Sequence, residues 1–242
     1  MDNDDLPIGH LLPRREALAL LGASGLALLG GPRRLAGQQA QGTGACVVRP
    51  AQTEGPYFVD QQLNRSDLRP DPSDGSVRPG VPLELAIVVS RLAGQACQPV
   101  PGVMVDLWQC DHLGVYSDVQ DRSFSSIGKK FLRGYQLTDA QGAARFTTIY
   151  PGWYPGRTVH IHFKLRQQLS PERALEFTSQ FYFDDALTDA VFQKAPYKER
   201  GPRSTRNASD GIYRQGGAQL MIPVRQQGSG YAGTFQVAMA GD

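Results

Sequence analysis

The sequence predicts an all-β fold: a single-domain antiparallel β-sandwich with long loops and an N-terminal arm. Three observations predict it. Short runs of alternating apolar and less apolar residues recur from Val81 onward, which is the period of a half-buried strand. The 242 residues include 27 glycines and 17 prolines, above the roughly 12% usual for the pair, so turns come at short intervals. No stretch carries a long helical period. The length suits one domain with a sizeable core and is short for two.

Taken in order, residues 1–40 read as an export signal. Arg14 and Arg15 precede a short apolar stretch from Ala17 to Leu29, and small and polar residues follow. This is the order of a signal peptide, and the paired arginines match the twin-arginine export type. The apolar stretch is shorter than the roughly 20 residues a bilayer span needs. The expectation is cleavage near Ala40, a periplasmic or extracellular location and no stable membrane span afterwards. Residues 41–80 read as an arm and loop that wrap the domain, with a dense turn at TEGPYF. Residues 81–242 read as the sandwich itself. Its strands carry Leu83, Leu85, Ile87 and Val89; Val103, Val105 and Leu107; Phe146 and Thr148; Phe177, Ser179, Phe181 and Phe183; and Phe235, Val237 and Met239. A short helix is expected around Leu187 to Tyr197, and polar loop from Pro196 to Gly217.

Charge is balanced, with 25 Lys+Arg against 23 Asp+Glu, and no basic block stands in the body of the chain. Nucleic acid is therefore not an expected partner. The cysteines are Cys46, Cys97 and Cys110. An odd count leaves at least one free or paired between chains. In an exported chain Cys97 and Cys110 are the expected disulfide, since they could sit on neighbouring strands joined by a turn. No C-x-x-C spacing exists, which argues against a zinc knuckle or a thioredoxin-like site.

The chemistry concentrates in TVHIHFKLR, residues 158–166. Val159, Ile161, Phe163 and Leu165 share one parity; His160, His162, Lys164 and Arg166 share the other. On a strand i and i+2 lie on one face, so both imidazoles point the same way. Alone, H-x-H fits a polar strand face as well as a metal site. Upstream, YPGWYPGRT delivers Trp153, Tyr154 and Arg157 beside the strand start, and DHLGVYSD places Tyr116 after a glycine turn. Phenol titrates near pH 10, but a trivalent ion supplies the charge that deprotonates it. Two phenolates and two imidazoles favour Fe(III) over zinc. No carboxylate stands where the two-histidine, one-carboxylate Fe(II) triad would need it. Asp106 and Asp111 read as structural, and His112 as solvated or near the site without binding metal.

With these residues in place, the chain resembles the intradiol ring-cleavage dioxygenases, the family of catechol 1,2-dioxygenase and protocatechuate 3,4-dioxygenase. The matching stretches are QTEGPYF, DLWQCDHLGVYSD, FLRGYQLTDAQGAARFTTIYPGWYPGRTVHIHF and FTSQFYFDD. The ordered set of a tyrosine after a glycine turn, then PGWY, then R-x-x-H-x-H is far more specific than H-x-H. The resemblance implies one Fe(III) per chain, held by Tyr116, Tyr154, His160 and His162, with Tyr154 leaving the ion when substrate binds. It implies Arg157 and Gln180 as catalytic side chains, and Trp153 and Tyr57 at the substrate. The implied reaction cleaves a catechol-type ring with O2 between its hydroxyl-bearing carbons, giving a cis,cis-muconate-type diacid. Partners would be a small aromatic diol and O2, and a homo-oligomer is expected. The chain is similar to a short, secreted-looking branch of the family. Two other readings stand beside it: a silent binding module on the same scaffold, and a metalloprotein that is not an oxygenase.

Overall fold

A computed structural model of the chain describes residues 46–93 and 96–239. The export-signal reading of residues 1–40 lies outside the described residues. The strands are β1 (Pro82–Ala93), β2 (Ala96–Pro99), β3 (Met104–Trp108), β4 (Arg133–Leu137), β5 (Ala143–Ile149), β6 (His160–Ser170), β7 (Arg173–Tyr182), β8 (Val224–Gln227) and β9 (Gly230–Met239). Among the described residues one α-helix, α1 (Asp185–Phe192), follows β7, and 3-10 turns lie at Tyr197–Arg200, Asn207–Ser209 and Gly217–Leu220.

The strands form two open sheets. One runs β2-β1-β9-β8 with β5 also paired to β1; the other runs β4-β3-β6-β7. Alternation places the apolar rows of both sheets in one core. Phe163 of β6, Phe181 of β7 and Phe235 of β9 meet there with ring centroids 5.3–6.0 Å apart. Each such side chain gains about 1.5–3 kcal/mol over exposure.

This architecture is mixed α/β and corrects the predicted all-β antiparallel sandwich. The helix is real. Asp184 caps it by accepting from the Leu187 amide at 2.9 Å, and Thr188, Val191 and Phe192 bury its inner face. It starts and ends earlier than the sequence suggests, because the cap sets its start and Pro196 lies just beyond its end. β1 and β9 pair parallel, from Leu83↔Tyr231 to Arg91↔Met239, and the sheets do not close into a sandwich. Alternation reports which residues share a face; it is blind to the direction of the neighbouring strand.

The expected Cys97–Cys110 bridge is also corrected. Cys46 pairs with Cys97, with Cα atoms 5.2 Å apart, and Cys110 is free and buried. Cys97 lies on β2 opposite Leu92 of β1. Cys110 follows β3 in the other sheet, its thiol 3.6 Å from the Gly152 carbonyl.

Residues 47–81 wrap the molecule. The Gln52 amide donates to Thr178 O of β7, the Arg65 amide to Tyr135 O of β4, and the Leu68 amide to Thr147 O of β5. The segment thus crosses from one sheet to the other. It also covers the polar face of β6: Lys164 pairs with Glu54, and Arg166 bridges Asp60 at 2.7 Å and Asp106 at 2.9 Å.

Candidate metal centre

β6 begins at His160, and its register sets His162 between Trp108 of β3 and Gln180 of β7. Both imidazoles are buried, on the face away from the shared core. The Trp108 ring stacks on His162 at 4.9 Å and 9°. His160 Nδ1 lies 2.6 Å from Thr158 O. A carbonyl only accepts, so Nδ1 carries the proton and Nε2 presents its lone pair.

Two loops bring the phenols to these histidines. Asp111 folds the first by accepting the Leu113 and Val115 amides at 2.9 and 3.0 Å. Gly114 turns the chain with φ +79°, and a Cβ there would stand 2.2 Å from Trp153 O. On the second loop, a Cβ at Gly152 would stand 2.4 Å from Asp111 O. The two loops therefore touch backbone to backbone, and that contact brings Tyr116 and Tyr154 within 5.8 Å, centroid to centroid.

Three donors surround His160 Nε2: His162 Nε2 at 3.0 Å, Tyr154 Oη at 3.2 Å and Tyr116 Oη at 3.4 Å. One lone pair does not satisfy this many neighbours as hydrogen bonds. A first-row metal with bonds of about 2.0–2.2 Å spaces adjacent nitrogen and oxygen donors roughly 2.9–3.5 Å apart, which matches the separations here. Burial holds both imidazoles well below their ordinary pKa, with the Arg157 charge adding to it, and holds both phenols well above theirs. Left alone the cluster is neutral; a bound cation reverses that by favouring phenolate. The four residues fit a hard, highly charged ion. Among the described residues no group of three His, Cys, Asp or Glu side chains could hold a metal, and this set draws half of its donors from tyrosine.

Arg157 enters from the side. Its Nη1 lies 3.5 Å from His160 Nε2, its Nη2 donates to Gln180 Oε1 at 2.5 Å, and its Nε donates to Asp210 Oδ2 at 2.9 Å. Gln180 is fixed at its other end by donating to Thr53 O at 3.0 Å. Gly55 of the arm lies over His162, where an added Cβ would sit 3.5 Å from its Cε1. Tyr57 stacks on Tyr116 at 4.6 Å, and its hydroxyl donates to Asp121 at 2.8 Å. Burial first and that hydrogen bond second push the Tyr57 phenol up to about 12.

Of the sequence-predicted residues, the structure brings together Tyr116, Tyr154, His160, His162, Arg157, Gln180 and Tyr57. Trp153 is turned to the shared core, with the Arg200 guanidinium 4.7 Å over its ring. His112 stands apart, 6.4 Å from the Tyr197 ring. Two clefts flank the 154–157 turn. One of about 500 Å³ is lined by Gln52, Thr53, Arg157, Asp210, Ile212 and Gln215, among others. The other, about 400 Å³, includes Tyr57, Asp121, Phe124, Tyr154 and Arg200. A groove of about 430 Å³ on the other sheet has no His, Cys or Tyr in its lining and offers no such chemistry. Sequence reasoning missed Thr53, Trp108 and Asp210. Strand register could have found Trp108. Nothing local marks the other two.

Residues 53–200 match the family model described as Dioxygenase. The chain belongs to the intradiol ring-cleavage dioxygenase family. It is similar to the intradiol ring-cleavage dioxygenase of Tetranychus urticae, at 28% identity and TM-score 0.69, over 80% of this chain and 94% of that one. It is similar to the dioxygenase domain of a dioxygenase carbohydrate-binding protein fusion from Streptomyces sp. SirexAA-E, at 32% identity and TM-score 0.56, over 81% and 99%. It is 33% identical over 159 residues to the protocatechuate 3,4-dioxygenase beta chain of Burkholderia cepacia, spanning 60% of this chain and 66% of that relative, just under two thirds of its length. No helix among the described residues is long and apolar enough to cross a membrane.

Proposed function

We propose that the protein is a non-haem Fe(III) enzyme that cleaves a catechol-type ring with O2 between its hydroxyl-bearing carbons, to a cis,cis-muconate-type diacid. The observation that carries this is the convergence of two phenol oxygens and the His162 Nε2 on His160 Nε2. Tyr116, Tyr154, His160 and His162 would hold the ion. Bound there, Fe(III) would accept charge from the diol and couple it to O2. The chain's own residues supply the rest. Tyr154, the less buried of the two phenols, borders a cleft and is placed to take a proton from an entering diol at its Oη. Arg157 holds a fixed positive charge against negative charge developing on the ring, a preorganised electrostatic role. Gln180 fixes Arg157 from the opposite side. Gly55 and its neighbours in the arm roof His162 and keep water off that side.

The proposal includes the division into an export signal (1–40), an arm (41–80) and a catalytic domain (81–242), acting in the periplasm or outside the cell. The Cys46–Cys97 disulfide supports an oxidising compartment. The test is the visible spectrum of the iron-loaded protein, before and after anaerobic addition of catechol. A broad mid-visible band that moves to longer wavelength with catechol is expected, followed by O2 uptake in air. A protein that stays colourless after iron loading would end the assignment of Tyr116 and Tyr154.

A further inference from the structure

We propose that Asp210 is a positioning residue that aims Arg157 into the site. The inference rests on the dioxygenase reading for what Arg157 does there. Asp210 is buried at 1% exposure. Its Oδ2 accepts from Arg157 Nε at 2.9 Å and from the Thr158 amide at 2.7 Å. Its Oδ1 accepts from the Ile212 amide at 2.7 Å and the Tyr213 amide at 2.9 Å. Four donors converge on one side chain, which is what a buried anion needs to be tolerated.

The two oxygens have different tasks. Oδ1 ties down the loop after the Asn207–Ser209 turn. Oδ2 faces the site. A free arginine side chain carries about 2 kcal/mol of rotamer entropy. Holding its Nε edge leaves Nη1 and Nη2 with one direction, toward His160 Nε2 and Gln180 Oε1. The same Oδ2 holds the Thr158 amide, and the Thr158 carbonyl accepts from His160 Nδ1. One carboxylate oxygen therefore sets the guanidinium and the first histidine against each other. Asn207 reinforces the arrangement by accepting from the Thr158 hydroxyl at 2.7 Å. Asp210 lies 53 residues beyond Arg157 in the chain and outside residues 53–200, which match the family model. The device is thus built from a segment that the family match does not reach.

The test is a double-mutant cycle on the iron-loaded full chain with catechol. Asp210→Asn keeps one oxygen for the Ile212 and Tyr213 amides and presents an NH2 group to Arg157. The expected result is unchanged iron content and visible band, KM within about threefold, and kcat lowered about 10- to 100-fold, as for a misplaced catalytic group. Asp210→Glu should recover part of the loss. In an Arg157→Gln background, Asp210→Asn should cost at least about threefold less in kcat than it does in the wild type, leaving only the part that runs through the Thr158 amide and His160. An equal loss in both backgrounds, a loss of iron that accounts for the loss of rate, or an unchanged kcat would overturn the proposal. A second readout needs neither iron nor turnover: nitrogen-15 NMR of the Arg157 Nε–H. It should exchange slowly with solvent in the wild type and fast in Asp210→Asn. Fast exchange in the wild type overturns the proposal by itself. Wild-type protein that turns over no diol would instead sink the dioxygenase reading, and the NMR result would still decide whether Asp210 holds Arg157.

Discussion

At the scale of single residues, the site depends on two places where a side chain would not fit. Gly114 shows this most sharply. Its φ of +79° favours glycine, and a Cβ would press to 2.2 Å from a backbone oxygen that has no room to move aside. Gly114→Ala should cost more than about 1 kcal/mol, since left-handed strain and a backbone clash add. The damage should also reach the chemistry. The clash separates the loop that carries Tyr116 from the loop that carries Tyr154, so the tyrosinate band should weaken even in the folded fraction. Circular dichroism and the visible spectrum, taken together, check this. A variant with full colour and wild-type unfolding would show that the loops are positioned by something other than their close approach.

At the scale of elements, the arm and β6 work as a pair. The polar face of β6 would be a costly surface if left half-dry, and the arm makes it usable. Lys164 is 6% exposed and is paired with Glu54, with Phe58 under its ammonium at 4.1 Å. Removing one partner strands the other, so Lys164→Met should destabilise by about 1–3 kcal/mol and speed proteolysis of residues 47–60. Adding Glu54→Leu should restore much of the loss, because an apolar pair need not be worse than a buried ion pair. Denaturant unfolding of the wild type and the two variants decides it. Equal stability of all three would mean that Arg166 and its carboxylates anchor the arm without help. This level also shows what was legible in the sequence. The shared direction of His160 and His162 was readable, because strand alternation is local and β6 alternates cleanly. The order of Tyr116, Tyr154 and the histidines was readable through the family pattern. The parallel pairing of β1 with β9 was not, since either direction of pairing has the same alternation. Asp210 was not, because a lone acid in a polar loop carries no mark of the arginine it meets. The disulfide was not, because cysteine positions along the chain do not say which sheet each strand joins.

At the scale of the whole molecule, two sheets share a core while the site sits on the outer face of only one of them. Stability and chemistry are thereby carried by partly separate structure, and the Cys46–Cys97 bridge tests the separation. It ties the start of the described chain to β2, at the edge of the sheet that lacks the histidines. Cross-linking residues 51 apart restricts the unfolded chain by about 4 kcal/mol in the loop-closure picture. For a domain of this size, that corresponds to a fall in Tm of roughly 8–16 °C on reduction. Cys46→Ala with Cys97→Ala should show the same fall and no further response to reductant. Cys110 is buried, so Cys110→Ser should leave the reductant response intact. Below the lowered Tm, the reduced protein should keep its visible band and its turnover, because no residue of the site lies on β1, β2 or β9, and the arm beyond Cys46 stays tied to β7 by the Gln52 amide on Thr178 O and by Gln180 on Thr53 O. Loss of colour at temperatures where the reduced protein is still folded would show that the bridge holds the site together, through the arm that runs from Cys46 or through the core shared with the first sheet, and that fold and site are not separable after all.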